Sequence, residues 1–445
     1  MVVSSALSLL SLPLLLYVFT NVCNSKNVSF EYLRLPLLHK TPFPSPSQLL
    51  SRDTHRLSVL HGRRAVKSPV VSGASTGSGQ YFVDLHLGTP SQRFLLVADT
   101  GSDLVWVRCS ACKNCTSHSS GSAFLARHST TFSPYHCYDS ACRLVPHPKP
   151  NPCNHTRLHS PCRYEYSYAD GSTTSGFFSR ETTTLNTSSG KAAKLRSMAF
   201  GCGFRKSGPS LSGPSFNGAD GVMGLGRRPI SFSSQLGRRF GNKFSYCLMD
   251  YTIAPPPTSY LMIGGSSKTP RMSFTPLQTN PLAPTFYYIG VEGVSVGGVK
   301  LPINPSVWSV DESGNGGTIV DSGTTLTFLP EPAYRLILAA FKRRVKIPSA
   351  AVPTPGFDLC VNVSDVSRPS LPRLSFRLVG NSVFSPPPRN YFIETAERVK
   401  CLAIQPVNSE KGFSVIGNLM QQGFLLEFDN DRSRLGFSRR GCAVP

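Results

Sequence analysis

The amino-acid sequence predicts a mostly β protein assembled from two related halves, and three observations carry that reading. Gly and Pro number 37 each among 445 residues, so most apolar runs last about five residues before a turn former interrupts them. Hydrophobic residues make up 40% and charged residues 16%, which suits one large core or two moderate ones and is the reverse of a disordered composition. Finally, one device occurs twice. The run Phe94–Ala98 leads into Asp99-Thr100-Gly101-Ser102, and Gly317–Val320 leads into Asp321-Ser322-Gly323-Thr324. Each copy has a later apolar run closing on glycine, Gly221 to Gly226 in the first half and Phe413 to Asn418 in the second.

In chain order, Ala6 to Val18 is an almost unbroken apolar run followed by small polar residues to Ser25, the pattern of a secretory signal peptide over residues 1–24. The run is shorter than the roughly 20 residues a membrane span needs, and neither a later stretch nor the polar end reads as a membrane anchor. Residues 25–78 are basic, carry Pro42, Pro44 and Pro46, hold a stretch with helical character at Leu49–Leu60, and end in the glycine-rich 73–79; they read as a prosegment and linker. A first half over 79–277 opens with a strand at Tyr81–Leu87, has a cysteine-rich insertion at 109–162, and contains a helix at Phe232–Phe240. The Pro-rich stretch Thr275–Thr285 marks the boundary. A second half over 278–445 opens with a strand at Tyr287–Val291 and has a helix at Pro330–Lys346, with Ala333, Leu336, Ile337, Ala340 and Phe341 at helical spacing.

The chain carries 46 basic and 24 acidic residues, a net charge of +22. Eight of the bases, against two acids, lie in residues 1–79, and no run of five successive bases occurs. That spread argues against specific nucleic-acid recognition and leaves weak binding to an acidic wall polysaccharide as the polyanion to expect. Thirteen cysteines in a secreted chain, with Cys23 in the leader, leave twelve for six disulfides. Cys109, Cys112 and Cys115 have zinc-like spacing, but an oxidising compartment favours disulfides over metal, so no metal or cofactor is expected. Sequons at Asn27, Asn114, Asn154, Asn186 and Asn362 fit glycosylated surface loops.

A lone Asp-Thr/Ser-Gly is an ordinary turn. Two copies, one per half and each behind an apolar strand, place Asp99 and Asp321 together if the halves pack about a twofold axis. Two carboxyls at hydrogen-bond distance share one proton, which supplies a base to draw a proton from water and an acid to protonate a carbonyl oxygen. Gly101 and Gly323 let backbone approach the carboxyls. Thr100 and Ser322 can bond across the axis, and Ser102 and Thr324 can bond the outer carboxylate oxygens.

On these motifs the chain resembles the pepsin-like aspartic proteases, and among them the cysteine-rich nepenthesin-type group common in plants. The resemblance covers roughly Gly79 to Pro445 and includes Trp106 and Tyr168-Ala169-Asp170-Gly171-Ser172. It implies a bilobal fold with two β-barrel-like lobes and a central cleft. It implies a flap hairpin, turning at Asp170-Gly171, that brings Tyr168 over substrate, with the Trp106 indole donating to its phenol. It further implies the pairs Cys109–Cys112, Cys115–Cys202, Cys137–Cys162, Cys142–Cys153, Cys247–Cys442 and Cys360–Cys401.

Together with the leader, the same resemblance makes the protein a secreted endopeptidase of the apoplast, cell wall or vacuole, and a monomer is expected. It cuts protein or peptide substrates best in acid and is made as a zymogen. Arg63, Arg64 and Lys67 are candidates to pair with the active-site carboxylates, and Arg63-Arg64 equally suits a processing site. Two rivals remain: an inactive relative that inhibits wall-degrading glycoside hydrolases, and a DNA-binding protease.

Overall fold

A computed structural model describes residues 80–442 except 114–122, 154–155, 169–170, 187–191, 209–210, 212–215, 217–218, 251–258, 265–270, 353, 367–368, 408–411 and 440–441; before residue 80 it describes 33–38, 45–46, 49–50 and 53. The leader, Arg63, Arg64, Lys67, Asn27, Asn114, Cys115, Asn154 and Asp170 lie outside the described residues.

The fold is mostly β, and the duplicated sequence device becomes a duplicated sheet device. Strand Gln92–Asp99 runs parallel to Gly221–Gly224, with Asp99 opposite Gly224. Gly221–Gly224 is antiparallel to Val105–Lys113, which continues parallel to Ala192–Ser207. In the second half Thr318–Val320 is parallel to Ser414–Ile416, which is antiparallel to Thr327–Pro330, itself parallel to Ile404–Val407. The central strands are buried on both faces, which explains their continuous rather than alternating apolar runs. Glycine closes each later run for a steric reason. A Cβ on Gly224 would lie 2.3 Å from the carbonyl carbon of Asp103, and one on Gly417 would lie 2.0 Å from the Leu326 carbonyl oxygen.

A shared sheet joins the halves. Lys243–Cys247 pairs antiparallel with Leu425–Asp429, which pairs with Arg434–Ser438. Leu33–Leu38, inside the stretch read as a prosegment, is a further strand of this sheet, paired with Ser259–Ile263 and with Phe82 and Val83. Its alternation buries Leu33, Leu35 and Leu37 and exposes the residues between, as expected for a strand with one face on the core. Leu49, Leu50 and Asp53 are helical; the rest of 49–60 is outside the described residues.

The stretch Thr275–Thr285 is more than a connection. Ser273–Gln278 is a strand paired with Arg434–Ser438 and with Tyr288–Ile289, because Thr275 and Leu277 point inward at period two and override the turn signal of the prolines. Helix α1 (Phe232–Phe240) starts where the Ser231 hydroxyl accepts from the Ser234 N–H and stops at Gly241, at φ 75°. Helix α2 (Glu331–Arg344) buries Ala333, Tyr334, Ile337, Ala340 and Phe341. Leu336, placed on the inner face by spacing, is exposed instead, because the buried arc is displaced away from it, with Tyr334 at its opposite edge.

The disulfides differ from the family pattern in the insertion. Cys109 joins Cys202, with Cα atoms 5.4 Å apart, which overturns both Cys109–Cys112 and Cys115–Cys202. Both Cys109 and Cys202 are consumed in this bond, which leaves neither for Cys112 or Cys115. Val107 meanwhile lies opposite Cys202 on the neighbouring strand, which brings Cys109 close. Cys137 joins Cys153 and Cys142 joins Cys162, in place of Cys137–Cys162 and Cys142–Cys153. Burial sorts them: Cys142 and Cys162 lie in the core beside Tyr164, while Cys137 and Cys153 are half-buried at the rim. Cys247–Cys442 and Cys360–Cys401 are bonded.

Mass-spectrometric mapping of the unreduced protein should recover one peptide pair linking Cys137 to Cys153 and another linking Cys142 to Cys162. Replacing Cys142 and Cys162 together by Ser should cost about 2–4 kcal/mol in chemical denaturation.

Candidate active site

The two Asp-containing turns meet at the junction of the halves, and each holds its carboxylate in the same way. The Gly101 N–H donates to Asp99 Oδ1 at 3.1 Å and the Ser102 hydroxyl to Oδ2 at 2.6 Å. The Gly323 N–H donates to Asp321 Oδ1 at 2.9 Å and the Thr324 hydroxyl to Oδ2 at 2.6 Å. Asp99 is 2% exposed and Asp321 is fully buried, depths at which a carboxylate needs such donors.

Between them, Thr100 and Ser322 cross the axis reciprocally. The Thr100 N–H donates to the Ser322 hydroxyl at 3.1 Å, and the Ser322 N–H to the Thr100 hydroxyl at 2.9 Å. Each hydroxyl then donates to a carbonyl of the opposite half, Thr100 to Val320 and Ser322 to Ala98. All eight residues of the two motifs are therefore brought together.

Tyr168 directly follows the strand Arg163–Ser167 of a hairpin whose second strand is Thr173–Asn186. The Trp106 indole donates to its phenol at 2.5 Å. Gly171 has φ 75° with nothing near its missing side chain, a turn position that favours glycine. Burial pushes the Tyr168 hydroxyl well above its ordinary range, with Tyr166 adding to the effect, so the phenol stays neutral at any physiological pH. Trp106 is 1% exposed and stacks on Phe216 at 5.8 Å, so it serves both packing and the flap.

Several buried polar residues that sequence reading passed over complete the site. The Asn418 side-chain amide donates to the Ser322 carbonyl at 3.0 Å, and that of Gln421 to the carbonyls of Asp321 and Ile416. Tyr246, from the first half, donates to Gln421 Oε1 at 2.6 Å. Asp103 is 2% exposed and receives the Thr285 hydroxyl at 2.7 Å and the Arg228 N–H at 2.9 Å. One signal was available: a carboxylate set directly before the apolar run Leu104–Val107 must be buried with partners. Asn418 and Gln421 carried none, because their value depends on the turn after Gly417.

Among the described residues the one Cys/His/Asp/Glu group with metal-compatible spacing is Cys142, His147 and Cys162, and its two sulfurs are bonded to each other. Cys112 and Asn186 fall within strands, with side chains outside the described set. Asn362 is exposed at the end of strand Cys360–Asn362.

Two mirrored strand–Asp–turn units, joined at a pseudo-twofold axis beneath a tyrosine-tipped hairpin, define a centre of the pepsin-like aspartic-protease class. Comparison with known proteins agrees. Family models described as xylanase inhibitor N-terminal and xylanase inhibitor C-terminal match residues 81–265 and 286–439. Aspartyl protease family protein 2 of Arabidopsis thaliana is 38% identical, covering 94% of this chain and 86% of its own. Aspartic proteinase nepenthesin-1 of Nepenthes gracilis is 34% identical, covering 91% and 87%. The solved structure of edgp superposes with a TM-score of 0.68 at 23% identity, covering 92% of this chain and 94% of its own, and basic 7S globulin from soybean with 0.65 at 18%, covering 93% and 98%; these show the fold. The chain belongs to the plant aspartyl protease family that includes the nepenthesins.

Replacing Trp106 by Phe keeps the ring against Phe216 but removes the donor to Tyr168. Amide hydrogen exchange over 163–168 and 172–178 should then quicken roughly fivefold, the equivalent of about 1 kcal/mol, while the strands around Asp99 and Asp321 keep their protection.

Proposed function

We propose that the protein is a secreted aspartic endopeptidase, made as a zymogen and active in acid. The observation that carries this reading is that both Asp motifs are intact and each aspartate keeps its paired backbone and hydroxyl donors. A centre with one aspartate replaced could bind peptides but could not divide the labour of base and acid.

In the proposed cycle one proton is shared between the two carboxyls. The ionised member takes a proton from a water held between them as that water attacks the peptide carbonyl, and the protonated member donates to the carbonyl oxygen. Collapse of the tetrahedral intermediate passes a proton to the leaving nitrogen and restores the shared proton. The hairpin bearing Tyr168 closes over the substrate and sheds water during attack. Protein or peptide substrates follow from the family, a place in the apoplast, cell wall or vacuole from the leader, and weak affinity for acidic polysaccharide from the charge; we take the protein to act as a monomer.

Contacts of the leading segment support the zymogen reading. Leu33–Leu38 fills a place in the shared sheet. Asp53 is 4% exposed and its carboxylate accepts the Leu326 N–H, five residues beyond Asp321. A segment so docked occupies both halves until it is cut from the rest.

A second reading, an inactive inhibitor of glycoside hydrolases, is favoured by the names of the matching family models, although the intact aspartates speak against it. Incubating the acid-treated secreted protein with a denatured protein substrate from about pH 2.5 to 8 separates the two. The peptidase reading expects cleavage in acid that falls towards neutrality as the shared proton is lost. It expects a drop of roughly 10²–10⁴-fold or more in Asp99→Asn and in Asp321→Asn with the fold intact. A folded, processed protein that cleaves nothing yet binds a xylanase tightly would reverse the choice.

A further inference from the structure

We infer that Asp103, the fifth residue of the first motif, is a positioning residue that holds the first catalytic turn to the flap and to the second half, and that its charge biases ionisation at Asp99. The inference rests on the peptidase reading. Three contacts carry the geometry. The Asp103 N–H donates to the Tyr166 hydroxyl at 3.0 Å, at the base of the flap. Its Oδ1 accepts the Arg228 N–H at 2.9 Å, and its Oδ2 accepts the Thr285 hydroxyl at 2.7 Å, just ahead of the second half's first buried tyrosines. The space for Oδ1 exists because residue 226 is glycine, whose Cβ would lie 2.4 Å from it. The same loop holds the dyad, since the Leu225 N–H donates to the Asp99 carbonyl at 2.8 Å and the Tyr287 hydroxyl to the Leu225 carbonyl at 2.8 Å.

The carboxylate thus ties the turn of Asp99 to the loop after Gly224 and to the entry of the second half, while the N–H of the same residue ties it to the strand beneath Tyr168. If the turn shifts, the flap base shifts with it, and small misplacements of reacting groups are costly.

Charge adds a second effect. Burial raises the Asp103 carboxyl above its ordinary range, Asp99 raises it further, and the donors Thr285 and Arg228 oppose the rise. The charged or titratable groups facing it are Arg228, Asp99, Tyr166 and Tyr287. The Asp103 carboxyl therefore keeps its proton to higher pH than an ordinary carboxyl and acquires its charge as pH climbs. That charge opposes loss of the dyad's shared proton, because like charges disfavour one another's ionisation. It extends activity towards neutral pH.

Asp103→Asn keeps an acceptor for Arg228 and a partner for Thr285 but carries no charge. Its pH–activity profile should keep the acid limb in place and move the neutral limb to lower pH. Asp103→Ala removes the strut as well and should lower kcat/KM roughly 10–100-fold, mostly through kcat. A readout free of activity accompanies these. The raised carboxyl means that the unfolded chain releases this proton first as pH rises, so the ionised group costs stability above the usual carboxylate range. Asp103→Asn should therefore raise the thermal midpoint at pH 7 but not at pH 3. With Asp99→Asn in a double-mutant cycle at pH 7, the combined gain should fall short of the sum of the single gains.

A profile that superimposes on the parent's at both limbs, or strictly additive midpoints, would overturn the inference. Non-additive midpoints in a protein that cleaves no substrate would uphold the link to Asp99 while removing the peptidase reading.

Discussion

The structure turns on the exchange between Thr100 and Ser322. Each gives its N–H to the other's hydroxyl, and each hydroxyl passes its proton to a carbonyl across the axis. The four bonds are fully buried, so any opening of the junction would strand donors and acceptors away from water, at a cost of about 1–3 kcal/mol for each group left bare. They also set the spacing and orientation of the turns that carry Asp99 and Asp321. Outer hydroxyls, backbone donors and the shared sheet complete an arrangement whose precision begins with these two side chains.

Around that junction the halves are alike in scaffold and unlike in detail. On the second side, Gln421 and Asn418 brace the backbone of the Asp motif and Tyr246 reaches over from the first half to brace Gln421. On the first side, the bracing comes from Leu225, Tyr287 and the carboxylate of Asp103. The two aspartates begin from matched donors and differ in what lies beyond. That difference breaks the symmetry of a pair that is nearly symmetric at its centre.

Much of this was legible in the sequence. The strand–Asp–turn device repeats, glycine recurs where backbones touch, and both long helices announce themselves by spacing; Phe232–Phe240 has its predicted bounds. What was not legible depended on approach between distant segments. Cysteine pairing followed strand register and depth: Cys109 reaches Cys202 because Val105–Lys113 lies beside Ala192–Ser207, and spacing along the chain contains no such information. Asp103 and Gln421 were missed for a related reason, since a single buried polar residue has no periodicity. The strand inside Thr275–Thr285 was hidden because Pro276 sits outward on a segment otherwise fixed by inward Thr275 and Leu277.

Leu33–Leu38 also bears on how the protein survives its own synthesis. It covers the open side of Ser259–Ile263, whose other side is already taken by Lys243–Cys247. Without it, the shared sheet would end in an unpaired, largely buried strand, a template for pairing with other chains. The leading segment therefore caps the edge it covers. Cutting the segment away, as the zymogen reading requires, bares that edge unless the strand stays in place or another segment takes its seat.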